Sequence, residues 1–207
     1  MNLRKRLLSP WAKPLLLLLL VLPAAWLIYA AFNDLLGANP AEALTRQTGD
    51  WTLRGLCVVL AITPLRELTD TPALLRFRRT VGVSAFAYAC LHMLCYAWFD
   101  QGFAVDDIWR DILKRPFIWL GFGALLAMLP LALTSFNAAI RWMGVKRWQT
   151  LHRLVYAVAV LAVLHFFWMR AGKNDYTEVI VYAVVLGILL AWRVRQAVQS
   201  RWLNQSF

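Results

Sequence analysis

Six apolar segments, 14–32, 51–65, 81–99, 117–136, 149–168 and 178–192, divide the chain and leave only short connections between them. Most approach the ~20 residues that a helix needs to cross ~30 Å of hydrocarbon. None shows the alternation of a strand, and nothing between them resembles a soluble domain. The expected fold is an all-α integral membrane protein, six transmembrane helices in one bundle. Segment 51–65 is short and carries Arg54, which can snorkel to the nearer interface. Segment 178–192 is also short, but its helix can begin in the preceding loop.

Composition agrees with a membrane setting. Of the 207 residues, 61% are hydrophobic, and the mean hydropathy is +0.56. A net charge of +11 does not point to nucleic acid, because the basic residues cluster between apolar runs instead of forming one patch. They report topology. Fifteen fall in one set of connections, from Arg4 and Lys13 through Arg76, Arg78, Arg79, Arg147 and Arg153 to Arg201. Six fall in the other: Arg46, Arg110, Lys114, Arg115, Arg170 and Lys173. The positive-inside rule then places both termini in the cytoplasm and the acidic loop of Asp100, Asp106, Asp107 and Asp111 outside. Segment 14–32 is longer than the ~7–15 residues of a signal-peptide core, so it is expected to stay as the first span. The expected organisation is a cytoplasmic segment 1–13, a membrane domain 14–195 and a cytoplasmic tail 196–207. Cys57, Cys90 and Cys95 lie within spans without metal-ligand spacing and are expected to be reduced.

All three histidines fall at or inside apolar segments. Imidazole nitrogens at membrane depth need partners, which makes each histidine a candidate site. At ~1.5 Å per residue, His92 is ~18 Å along the third span and His165 ~24 Å along the fifth, both on the outer half. Two imidazoles level with one another on neighbouring helices suit a b-type haem held edge-on in a bundle. With both axial positions filled by nitrogen, such a haem passes electrons and does little else. The bland alternative is a histidine that merely bonds a carbonyl on the next helix. His152 is ~20 Å away near the inner surface and ~140° around an ideal helix from His165. It could ligate a second haem, line a flavin or quinone site, or cap the interface.

The blocks LTRQTGDWTLRGL (44–56), ITPLR (62–66), LLRFRRTVG (74–82), LHMLCYAWFD (91–100), KRPFIWLG (114–121), PLALTSF (130–136) and RWQTLHRLVYAVAVLAVLHFFWM (147–169) resemble the MsrQ (YedZ) family of ferric-reductase-like transmembrane proteins. The resemblance implies a haem-binding membrane subunit of a periplasmic methionine sulfoxide reductase system, with haem b and FMN as cofactors. Electrons would come from the respiratory quinone pool or a cytoplasmic flavin reductase. They would pass to a periplasmic molybdopterin subunit of the MsrP type, in a heterodimer that repairs oxidised proteins. Carried over by position, His92, His152 and His165 match the family's haem-associated histidines. Larger members of the wider group use two histidines on each of two helices. Here the inner counterpart on the third span falls near Arg78 or Arg79, so one bis-histidine haem is expected and a second is open. Arg76, Arg78, Arg79, Arg147 and Arg153 could hold an FMN phosphate or haem propionates, or simply set orientation.

Only 15 residues follow the sixth segment, and no GxGxxG or Walker A run is present, so electrons are expected from outside the chain. The runner-up within redox chemistry is a stand-alone ferric or quinone reductase. A transporter is disfavoured because the third and fifth spans lack acidic residues. A colourless anchor for a periplasmic enzyme would tolerate loss of every histidine.

Overall fold

The computed structural model describes residues 3–172 and 174–205. Lys173, counted above among the basic residues, lies outside the described residues, as do the side chains of Arg4 and Arg201. Every regular element among the described residues is helical. The order is α1 (Leu3–Leu8), α2 (Ala12–Phe32), α3 (Pro40–Leu68), a 3-10 turn (Pro72–Phe77), α4 (Arg78–Cys95) running into a π-helical turn (Tyr96–Asp100), and α5 (Val105–Lys114). There follow α6 (Pro116–Leu133), α7 (Asn137–Met143), α8 (Val145–His152), α9 (Leu154–Ala171) and α10 (Thr177–Gln205).

Five stretches are long and apolar enough to cross a membrane: α2, Pro72–Asp100, α6, Val145–Ala171 and Thr177–Gln199. The expected segment 51–65 lies inside α3, which is not among the five. Asp50 and Arg54 dilute its apolar content where a span would need it. α3 nonetheless sits within the bundle. It packs along α4, while α6 packs along α9, and these four helices surround the core. α10 lies against α3 and α9, and α2 lies against α4 and α3. α4 and α9 run the same way, with α3 and α6 antiparallel to them; we call the end where α4 and α9 finish the upper end.

Small residues set the spacing. A Cβ on Gly55 of α3 would stand 2.7 Å from the Ala85 Cβ of α4. The two backbones approach as closely as that hydrogen permits, the small-residue packing that membrane helices use in place of a hydrophobic drive. Around this crossing Leu56, Leu60, Val158, Ala159 and Leu186 are almost fully buried. At the membrane-facing side α2 buries only Leu27 and Ala30. It is keyed to α4 by a polar contact instead. The Tyr88 hydroxyl donates to the Leu20 carbonyl (2.8 Å) and accepts from the Ala24 N–H (3.0 Å). It thereby inserts into the i→i−4 ladder of α2 beside Pro23. At the lower end the Glu67 carboxylate accepts from Trp192 Nε1 (3.1 Å) and from Gln196, tying α3 to α10. The indole N–H holds the Glu67 carboxyl below the usual carboxylate range.

Two expectations need correction. The connection after the third span is not merely a loop, because α5 forms within it. Ile108 and the buried Ile112 face inward, while Val105, Trp109 and Leu113 are exposed with Asp106 and Asp107. Val105, Ile108, Trp109, Ile112 and Leu113 follow the i, i+3, i+4, i+7, i+8 spacing of one helix face, but the stretch is only ten residues long and its acidic residues make it read as a loop. The stretch 149–168 is also not one uninterrupted helix. Arg153 separates α8 from α9, its N–H bonding three residues back to Thr150. The ideal-helix angle between His152 and His165 therefore does not apply.

Gly55→Val is expected to force α3 from α4 and lower the stability of the purified protein by about 1–3 kcal/mol, read as a fall in unfolding temperature in detergent.

Candidate functional site

His92, one turn before the end of α4, has its Nδ1 2.8 Å from the Thr45 carbonyl of α3. His165, on α9, has its Nδ1 2.5 Å from the Phe117 carbonyl at the start of α6. A carbonyl only accepts, so each Nδ1 carries the hydrogen and each Nε2 keeps its lone pair. Both contacts are built alike. The acceptor carbonyl lies four residues before a helix-interior glycine, Gly49 in α3 and Gly121 in α6. A Cβ at Gly49 would meet the His92 ring at 3.2 Å, and one at Gly121 would meet the His165 ring at 2.8 Å. Each imidazole thus lies in the notch left by the missing side chain and reaches the carbonyl one turn back.

The two rings stand 6.0 Å apart between centroids, with planes at 78°. A metal bonded by about 2 Å to one nitrogen of each ring would set the ring centres about 6 Å apart. Among the described residues, no three His, Cys, Asp or Glu side chains gather as a metal cluster. A metal between these histidines therefore needs its remaining ligands from elsewhere, which is the donor set a porphyrin supplies. The histidines line a cavity of about 300 Å³, apolar in its depth with Leu53, Leu56, Leu125, Met128 and Phe166, and polar where Arg46, Tyr96, Asp100 and Arg115 line it. The residues present fit a bis-histidine haem.

A second cavity, of about 410 Å³, lies toward the lower end and is lined by Lys13, Arg76, Arg78, Arg79, Trp148 and His152 among others. His152 stacks on Trp148 with centroids 4.0 Å apart. Its Nε2 is 3.0 Å from the Thr134 hydroxyl, which donates its own hydrogen to the Pro130 carbonyl at 2.7 Å. Thr134 can then only accept from His152, so here Nε2 carries the hydrogen. Trp148 Nε1 donates to the Thr134 carbonyl (3.0 Å) and fixes the stack. Leu56, Met128 and Val158 line both cavities and form the wall between them.

Residues 48–163 match the family described as ferric reductase like transmembrane component. A protein of Polaromonas naphthalenivorans is 63% identical over 191 residues, covering 92% of this chain and 87% of that protein. One of Azospira oryzae is 54% identical over 187 residues, covering 90% and 80%. One of Herminiimonas arsenicoxydans is 47% identical over 194 residues, covering 94% and 89%. Each is named protein-methionine-sulfoxide reductase heme-binding subunit MsrQ. The chain belongs to the MsrQ family of ferric-reductase-like transmembrane proteins. No solved structure matches it.

The structure of this MsrQ-family chain brings His92 and His165 together and sets His152 with Arg78 and Arg79 at the other cavity. Arg79 donates to Asn137 Oδ1 (2.9 Å) and Arg76 to the Leu7 carbonyl (2.8 Å). Arg147 and Arg153 are exposed, outside the lining of both cavities. Ala89 and Ala162 border the upper cavity as small residues beside a flat ligand should, whereas Ala85 is taken up by the Gly55 crossing. Thr45, Gly49, Phe117 and Gly121 were not singled out from the sequence. The available signal was a glycine inside each helix, at a cost of about 1 kcal/mol that packing must explain.

Nitrogen NMR of the histidine-labelled apoprotein is expected to give Nδ1–H tautomers for His92 and His165 and the Nε2–H tautomer for His152. Thr134→Val should perturb the His152 signal alone.

Proposed function

We propose that this chain is a b-type cytochrome subunit that passes electrons through the bacterial inner membrane to a periplasmic methionine sulfoxide reductase. The observation that carries the reading is the His92–His165 pair, 6.0 Å between ring centroids with both Nδ1 atoms bonded to backbone carbonyls. The names of the relatives support the same assignment. A haem held there by His92 and His165 would supply one-electron transfer. The protein's part is to keep two Nε2 lone pairs free in one cavity and hold the rings that carry them. Backbone carbonyls do this without side-chain freedom, and they raise the donor strength of each ring through its N–H. The apolar depth of the cavity keeps water from the bound group.

The lower cavity is the entry side in this reading. Lys13, Arg76, Arg78 and Arg79 suit a phosphate, and the Trp148–His152 stack suits a flat ring system. That pairing supports FMN there. His152 gives less support to a second haem, because its Nε2 is committed to Thr134. Electrons enter from the quinone pool or a cytoplasmic flavin reductase and leave upward to a molybdopterin subunit of the MsrP type. α3 is the sixth span in this proposal, with Thr48 and Thr63 buried, Asp50 half-buried and the exposed Arg54 bonded to Tyr182 of α10, and both termini are cytoplasmic by the charge count.

The haem-replete protein is expected to give sharp b-type bands in its reduced-minus-oxidised spectrum. His92→Ala or His165→Ala should remove most of that signal, and His152→Ala should leave it. Oxidised partner with sulfoxide substrate should reoxidise the reduced chain. Absence of the bands in well-folded wild-type protein, or their survival in the His92→Ala/His165→Ala double variant, rejects the reading.

A further inference from the structure

The two segments that orient the histidines also carry arginines at the polar end of the same cavity. Arg46 follows Thr45, whose carbonyl holds His92, and Arg115 stands two residues before Phe117, whose carbonyl holds His165. Both line the His92–His165 cavity, whereas the arginines first considered for an anionic ligand line the other one or neither. We propose that Arg46 and Arg115 bind the two carboxylate arms of the macrocycle seated between the histidines, so that its polar edge faces the upper mouth. This rests on the haem reading above.

Each arginine already meets a carboxylate of its own. Arg46 pairs with Glu42 at 3.3 Å and Arg115, through Nε, with Asp111 at 2.8 Å. Both are pairs within one helical turn, with the Arg115 side chain 57% exposed and the Arg46 side chain 35% exposed. The half-exposed Arg46–Glu42 pair is weak enough to yield or share when a second carboxylate arrives. The more buried Asp111 also accepts from Tyr96 and Gln101, so it keeps partners if Arg115 is shared. Guanidinium is the side chain that meets a carboxylate with two parallel hydrogen bonds. Asp50 and Asp100 line the cavity too. Their charge would repel an anionic arm, so an arm is accommodated only beside an arginine. A ligand with an apolar body and two anions on one edge therefore has one favourable orientation.

The test compares haem with haem dimethyl ester, which lacks the charged arms, on full-length protein produced without haem synthesis and titrated by the rise of the Soret band. Wild type should bind haem roughly tenfold or more tighter than the ester, the scale of a charge-assisted bond lost. Arg46→Gln/Arg115→Gln should bind both forms alike, at the affinity wild type has for the ester. Unchanged ester binding shows that this variant is folded. Arg46→Lys/Arg115→Lys should keep part of the preference, and Arg110→Gln all of it. A preference for haem that persists undiminished in the glutamine variant, or no preference in wild type, overturns the assignment while leaving the haem reading intact. Loss of ester binding in the variant would mark the arginines as structural and also overturn it. Failure of wild type to bind either form overturns both.

Discussion

Two hydrogen bonds from imidazole N–H to backbone carbonyl hold this architecture to its purpose. His92 on Thr45 joins α4 to α3, and His165 on Phe117 joins α9 to α6. Each bond lies on one of the two most extensive helix pairings, so packing and imidazole orientation are determined by the same contacts. The carbonyls belong to helix turns and cannot rotate. In a low-dielectric interior an unpaired ring N–H would be costly, which favours the orientation in which each Nδ1–H meets its carbonyl.

The glycines explain how this is possible in a helical protein. A carbonyl within a helix is ordinarily shielded by the side chain one turn later. Gly49 and Gly121 remove that shield at the two places where an imidazole must come in. Gly55 serves the same pair of helices differently, allowing α3 and α4 to touch at Ala85. α3 therefore combines charges that discourage lipid contact with glycines that favour protein contact. Its position among α4, α9 and α10 follows from both.

Much of this was legible in the chain itself. The apolar periods located five of the helices, and counting residues along α4 and α9 put His92 and His165 at one height. Counting along a span could not show what lies beside a histidine, because Thr45 and Phe117 contribute main-chain atoms that carry no side-chain signature. α5 was hidden by its acidic residues, and the Arg153 break falls where the polar α8 gives way to the apolar α9, a change that was read as the inner end of one span. The arginines were read as markers of sidedness, and that reading does not separate Arg78 and Arg79, which border a cavity, from Arg147 and Arg153, which do not. Arg46 and Arg115 were placed with the sparser charge set, and only the tertiary fold brings them to one rim.

The partition formed by Leu56, Met128 and Val158 is a single layer of side chains between two chambers, and all three are nearly inaccessible to solvent. Hydrocarbon and a thioether offer nothing to carry a proton from one chamber to the other. On the proposed electron-carrier reading, charge that crosses this septum does so as electrons, and any compensating proton is taken up or released within one chamber.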